Sequence, residues 1–164
     1  MPNQLTPRRT TAAPFASTIL APFVERGKAG SLPVAEIGIA AANVLKAVGA
    51  RVALGPRVCC GRPLISQGLL ADARKRAAET SRRLLPEVAA GKPILVLEPS
   101  CLSALRDDGP SLLRGEEQRQ ARQVGDACVL FEEFLEHAAA ADPTSLRLRR
   151  GPAHVLLHGH CHQK

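Results

Sequence analysis

The chain has 164 residues, 45% of them apolar, a formal charge of +7, 2% aromatic side chains, and neither Trp nor Tyr. That length supports one compact domain with a core of Leu, Val, Ile and Ala. The missing aromatics argue against single-stranded nucleic-acid binding by stacking, and no apolar run is long enough to cross a bilayer. The basic residues are scattered, in groups such as Arg74, Lys75 and Arg76, or Arg82 and Arg83. They read as solvated helix faces, and no nucleic-acid partner is expected.

In chain order, residues 1–33 carry five prolines, a single acid, Glu25, and no lasting periodicity. They read as an irregular leader, with a transit peptide as the alternative. Order is expected from Val34. In VAEIGIAAANVLKAVGA, Val34, Ile37, Ala41, Val44, Leu45 and Val48 recur at helical spacing, and Gly49 suits a helix C-cap. RVALG predicts a short strand closed by Gly55 and Pro56. A helix starting at Ser66 or Asp72 is expected to run to about Ala90, and Gly91 and Pro93 end it. ILVLE is a continuous apolar run, as in a parallel strand buried on both faces. PSCLSALRDD suggests a turn and a short helix. DDGPSLLRGEEQRQARQVGD reads as irregular with some helix, VLFEEFLEHAAA as helix and HVLLH as a third strand. Helix and strand alternate, so residues 34–164 predict an α/β domain with an open, mainly parallel sheet and crossover helices.

The five cysteines are Cys59, Cys60, Cys101, Cys128 and Cys161. Their odd number and uneven spacing, with no secretory signal before them, argue against a disulfide framework and for a metal or redox site. Cys59 and Cys60 follow the first predicted strand, Cys101 the second and Cys161 the third. In open α/β sheets the carboxyl edge is where ligands bind. Adjacent cysteines can hardly bridge to each other, but each can ligate a different atom of a polynuclear cluster. Gly61 lets the backbone turn closely there, and Pro63 stiffens the exit. Cys128, at the start of an apolar run, reads as a small buried hydrophobe.

Two other chemistries compete. HGHCHQK puts His158, His160, Cys161 and His162 together, which suits zinc, although no complete zinc module is spelled out. Cys101 at a helix start would have a depressed pKa, and with His158 or His160 as base it could be a nucleophile. His137 and His154 read as structural or exposed.

VCCGRPLISQGLL, LEPSCLSALRDD, VLFEEFLEH and LLHGHCHQK together resemble the cysteine-rich, or CCG, domain of iron–sulfur oxidoreductases. That family includes the iron–sulfur component of glycolate oxidase, the C component of anaerobic glycerol-3-phosphate dehydrogenase and the B component of heterodisulfide reductase. Within it the chain is most similar to the C-terminal region of FAD-linked oxidases of D-lactate dehydrogenase type. The resemblance covers residues 34–164 and implies a Rossmann-like half of a cysteine-rich domain, cut short at its C-terminus, as a fragment of a larger protein that is inactive alone. It implies an electron-transfer module of a 2-hydroxy-acid oxidoreductase. It also implies a four-iron, four-sulfide cluster held by Cys59, Cys60, Cys101 and Cys161, with Gly61 at the cofactor. Glu98 stands where the family motif has a further cysteine, so it is a substitute ligand, a supporting residue or a polar cap; His160 is a second supporting candidate. FAD would lie in the missing remainder or a partner. The implied partners are a flavoprotein domain or subunit, a ferredoxin-type domain and, through the complex, a membrane quinone. The implied location is the cytoplasm, or the inner face of the membrane through the complex. Zinc, or no metal, in a module that docks on a flavoprotein is the alternative.

Overall fold

The structure is a computed structural model that describes residues 18–20, 34–148, 150–156, 159 and 161. Four short strands form one sheet: β1 (Thr18–Leu20), β2 (Val52–Leu54), β3 (Ile94–Val96) and β4 (Cys128–Leu130). Their order is β2-β1-β3-β4, and every neighbouring pair is parallel. Helix α1 (Val34–Ala47) leads into β2, and α2 (Arg62–Ser66) and α3 (Leu70–Ala89) join β2 to β3. Between β3 and β4 come α4 (Pro99–Ser103), a π-helical turn (Ala104–Asp108), α5 (Gly109–Leu112) and α6 (Gly115–Ala127); α7 (Phe131–Ala141) follows β4. The α/β class and the parallel crossovers agree with the periodicities in the sequence.

Strand alternation divides the core into two layers. Ile94, Val96, Cys128 and Leu130 pack with Leu84, Leu102, Leu105 and Val124. Leu95 and Val129 point the other way, to Leu45, Phe131, Phe134 and Leu135. Because β3 is covered on both faces, its three residues are fully buried, which is why ILV reads as an uninterrupted apolar run.

Three expectations need correction. Thr18–Leu20, inside the stretch read as an irregular leader, is a strand between β2 and β3; Ile19 pairs with both Ala53 and Ile94. Three residues show no measurable period, yet pairing on both sides satisfies their backbone. HVLLH is not a strand over its described residues: His154, Val155 and Leu156 are exposed and unpaired in any sheet. An apolar run becomes a strand only where a sheet edge accepts it. The strand lies instead at Cys128–Leu130, which helical periodicity had merged into α7. In the stretch read as irregular with some helix, the helix is the 13-residue α6. Its polar sequence hides a narrow seam of Ala121, Val124 and Gly125. A Cβ on Gly125 would lie 2.8 Å from the Leu105 carbonyl oxygen, so glycine permits the close approach of α6 to the π-helical turn.

Several arginines pair with acids on their own helices, as Arg76 and Arg83 do with Glu79 and Arg119 does with Glu116. No helix among the described residues is long and apolar enough to cross a membrane.

Candidate redox-thiol site

The loop between β2 and α2 carries Cys59 and Cys60, and α3 fixes its course. The buried Thr80 hydroxyl donates to the Cys59 carbonyl at 2.8 Å, and Arg83 donates to the Arg57 carbonyl at 3.0 Å. Gly61 follows with φ of 83°, a left-handed conformation that disfavours any side chain, and caps α2. Pro63, which lacks an N–H, lies in the first turn of α2, where no intrahelical donor is needed. The loop thus buries the Cys60 side chain while leaving Cys59 partly exposed.

The second segment follows β3. Glu98 is extended and caps α4: one carboxylate oxygen accepts from the Cys101 N–H at 2.7 Å and also from the Ser100 hydroxyl. This geometry matches the polar-cap expectation for Glu98. Burial works against the Glu98 carboxylate, yet the Ser100 hydroxyl and the backbone N–H groups of Cys101 and Ser100 hold its pKa below the ordinary value.

These two segments meet at sulfur. Cys60 Sγ and Cys101 Sγ are 3.1 Å apart in the core, joined by a thiol–thiol hydrogen bond between residues 41 positions apart. In the neutral pair Cys60 donates. When Cys60 loses its proton the direction reverses, and Cys101 S–H donates to the thiolate. That hydrogen bond lowers the Cys60 pKa against the opposing effect of burial, helped by the Arg62 backbone N–H. The same bond raises the pKa of Cys101, reinforced by burial and by the Glu98 carboxylate. The expectation that a helix start would depress the Cys101 pKa is therefore wrong. A buried partner thiolate and a nearby carboxylate outweigh the first turn of a five-residue helix. The more acidic thiol of the pair is Cys60.

Cys60, Cys101, Gly61 and Glu98 are thus gathered at the ends of β2 and β3, with Cys59 on the same loop. Cys128 lies in the same apolar layer but at the start of its strand; it is fully buried, and burial pushes its thiol up to about 12. It is the small buried hydrophobe its sequence suggested. Cys161 is exposed. His158, His160 and His162 lie outside the described residues. Sequence reading missed Thr80 and Arg83, which hold the cysteine loop. The only signal for Thr80 is a small polar residue within the apolar seam of α3.

The donor chemistry suits a thiophilic metal, but the two sulfurs stand closer than two thiolates on one metal ion would. Two thiolates on one tetrahedral zinc, at about 2.3 Å each, would stand about 3.8 Å apart. A disulfide would need about 2.0 Å. The observed separation falls between these. Among the described residues, no group of three or more His, Cys, Asp or Glu is placed to hold a metal ion.

The chain is similar to the C component of anaerobic glycerol-3-phosphate dehydrogenase from Escherichia coli K12 and from E. coli O157:H7, 31% identical to each over 124 residues. The match covers 74% of this chain and 30% of each relative, so the chain spans under a third of the proteins it resembles. No family profile and no solved structure matches it.

Proposed function

We propose that this chain is the thiol-bearing, electron-transferring part of an oxidoreductase that works with a flavoprotein partner. The observation that carries the reading is the meeting of Cys60 and Cys101 at the carboxyl ends of two parallel strands, the edge where open α/β sheets bind ligands. The similarity to a dehydrogenase component supports the same class. The sequence resemblance leans toward 2-hydroxy-acid oxidases of the D-lactate or glycolate type, while the relatives are named for glycerol-3-phosphate. Transfer of electrons away from a flavin covers both.

In the narrower reading, residues 34–164 form part of a Rossmann-like, CCG-type domain. Cys59, Cys60, Cys101 and Cys161 hold a four-iron, four-sulfide cluster, and Glu98 and His160 support it. A bound cluster would supply one-electron transfer. Because Cys60 and Cys101 now touch, they must part to make room. FAD and a ferredoxin-type domain belong to the rest of the assembly, which works in the cytoplasm or at the inner face of a membrane and delivers electrons to a quinone. Anaerobic incubation with iron and sulfide, read by absorbance and bound iron, tests the ligand set. Uptake in a Cys59→Ser, Cys60→Ser double variant equal to that of the parent would refute it.

A second reading is favoured by the 3.1 Å sulfur separation: a metal-free module that docks on a flavoprotein, with zinc as the metal it would take if the two thiolates parted. Metal analysis of protein purified without oxygen separates the two. Iron with sulfide supports the first, and zinc without sulfide or no metal supports the second.

A further inference from the structure

We propose that Cys60 and Cys101 are an oxidation site that closes into an intrachain disulfide when the chain carries no metal. The inference concerns the chain before any cofactor is loaded, so it stands apart from the cluster reading.

Geometry carries it. The two sulfurs already lie 3.1 Å apart, so closure to a bond of about 2.0 Å needs a movement of about 1 Å, within reach of small side-chain rotations. Both segments are held in place. Thr80 and the left-handed Gly61 set the Cys60 loop, and Glu98 and the end of β3 set Cys101. The competing thiols are less well placed. Cys59 is next to Cys60 in sequence, where a bridge is strained, Cys161 is exposed, and Cys128 lies at the opposite end of its strand. Both pair members are only 6% exposed, which selects for a small oxidant over a bulky disulfide.

With a small peroxide the step balances. One sulfur of the pair attacks a peroxide oxygen, the O–O bond breaks, and one water leaves, giving a sulfenic acid. The second sulfur attacks the first, the S–S bond forms, the S–O bond breaks, and a second water leaves. Two electrons pass from the sulfurs to the peroxide, and both thiol protons end in water. Closure also withdraws both thiolates from any metal.

The test is hydrogen peroxide treatment of the full metal-free chain, followed by alkylation of remaining thiols and peptide mapping. The expected product lacks two hydrogens and contains a Cys60–Cys101 cross-linked peptide. That peptide should persist in Cys59→Ser, and it should fall at least tenfold when the parent is oxidised in denaturant. A dominant bridge between any other pair, or sulfinic acid at Cys60 or Cys101 without a bridge, overturns the proposal. The deciding outcomes are read on the parent chain, so they do not depend on the Cys59→Ser variant folding. Iron uptake plays no part in it, so its failure is distinct from failure of the cluster reading.

Discussion

Cys60 and Cys101 are 41 positions apart in sequence, yet their sulfurs are 3.1 Å apart inside the core. One arrives on the loop after β2 and the other on the first turn after β3, so the contact depends on the parallel sheet and on both connections. A disulfide here would close a loop of that length and stabilise the fold by about 4 kcal/mol in the chain-entropy description. Urea unfolding with and without reductant should show this as a higher midpoint for the oxidised chain, with a somewhat shallower slope because the cross-linked unfolded chain exposes less surface.

The hydrogen bond between the two sulfurs makes Cys60 the more acidic. Replacing Cys101 with Ala removes the donor and should return the Cys60 thiol upward, because burial then acts unopposed by Cys101. Ultraviolet thiolate titration, taken as the difference between each background and its Cys60→Ala counterpart, measures this. An unchanged Cys60 titration in Cys101→Ala would contradict the coupling.

Cys128 gives a pH dependence of defined sign. Its folded pKa is raised by burial from 9.0 to about 12. The folded state therefore holds this proton more tightly than the unfolded chain, and the associated stability is fully present below about pH 9. It is lost as pH rises toward 12. A Cys128→Ala variant starts less stable by a cavity cost, but its stability should fall less steeply over that alkaline range. Urea midpoints at a series of pH values compare the two slopes.

The Thr80 hydroxyl holds the cysteine loop against α3. Thr80→Val keeps the shape and leaves the Cys59 carbonyl without this donor, at about 1–3 kcal/mol. Thr80→Ser should retain most of the bond. If Val and Ser cost the same in urea unfolding, the hydrogen bond is not what fixes the loop.

Gly125→Ala should destabilise by about 1–3 kcal/mol, since the new methyl would meet backbone on the π-helical turn and that neighbour cannot rotate away. Gly38→Ala, where nothing lies within 4 Å of the added methyl, is the control and should leave thermal unfolding nearly unchanged or slightly raised.

Much of this architecture is legible in the sequence because the long helices have clear faces. Ala41 and Leu45 mark α1, and Ala73, Ala77 and Leu84 mark α3. ILV is legible as a strand because burial on both faces leaves no polar position. β1 is not legible: Thr18–Leu20 gains its structure from two neighbours far away in sequence. Val155 and Leu156 err in the other direction, since apolarity suggests a strand but supplies no pairing edge. At the site, the CCG motif and PSC turn are visible as separate features. Their contact, the reversal of which thiol is acidic, and the role of Thr80 appear only when the chain is folded.

The most direct measurement is an anaerobic redox titration of the iron- and sulfide-treated full chain, followed by paramagnetic resonance. The account predicts a reversible one-electron signal in the parent that disappears in a Cys60→Ser, Cys101→Ser double variant whose far-ultraviolet circular dichroism is unchanged. A signal of equal intensity in that variant, or none in a fully reduced and folded parent, would contradict electron transfer at this pair of strand ends.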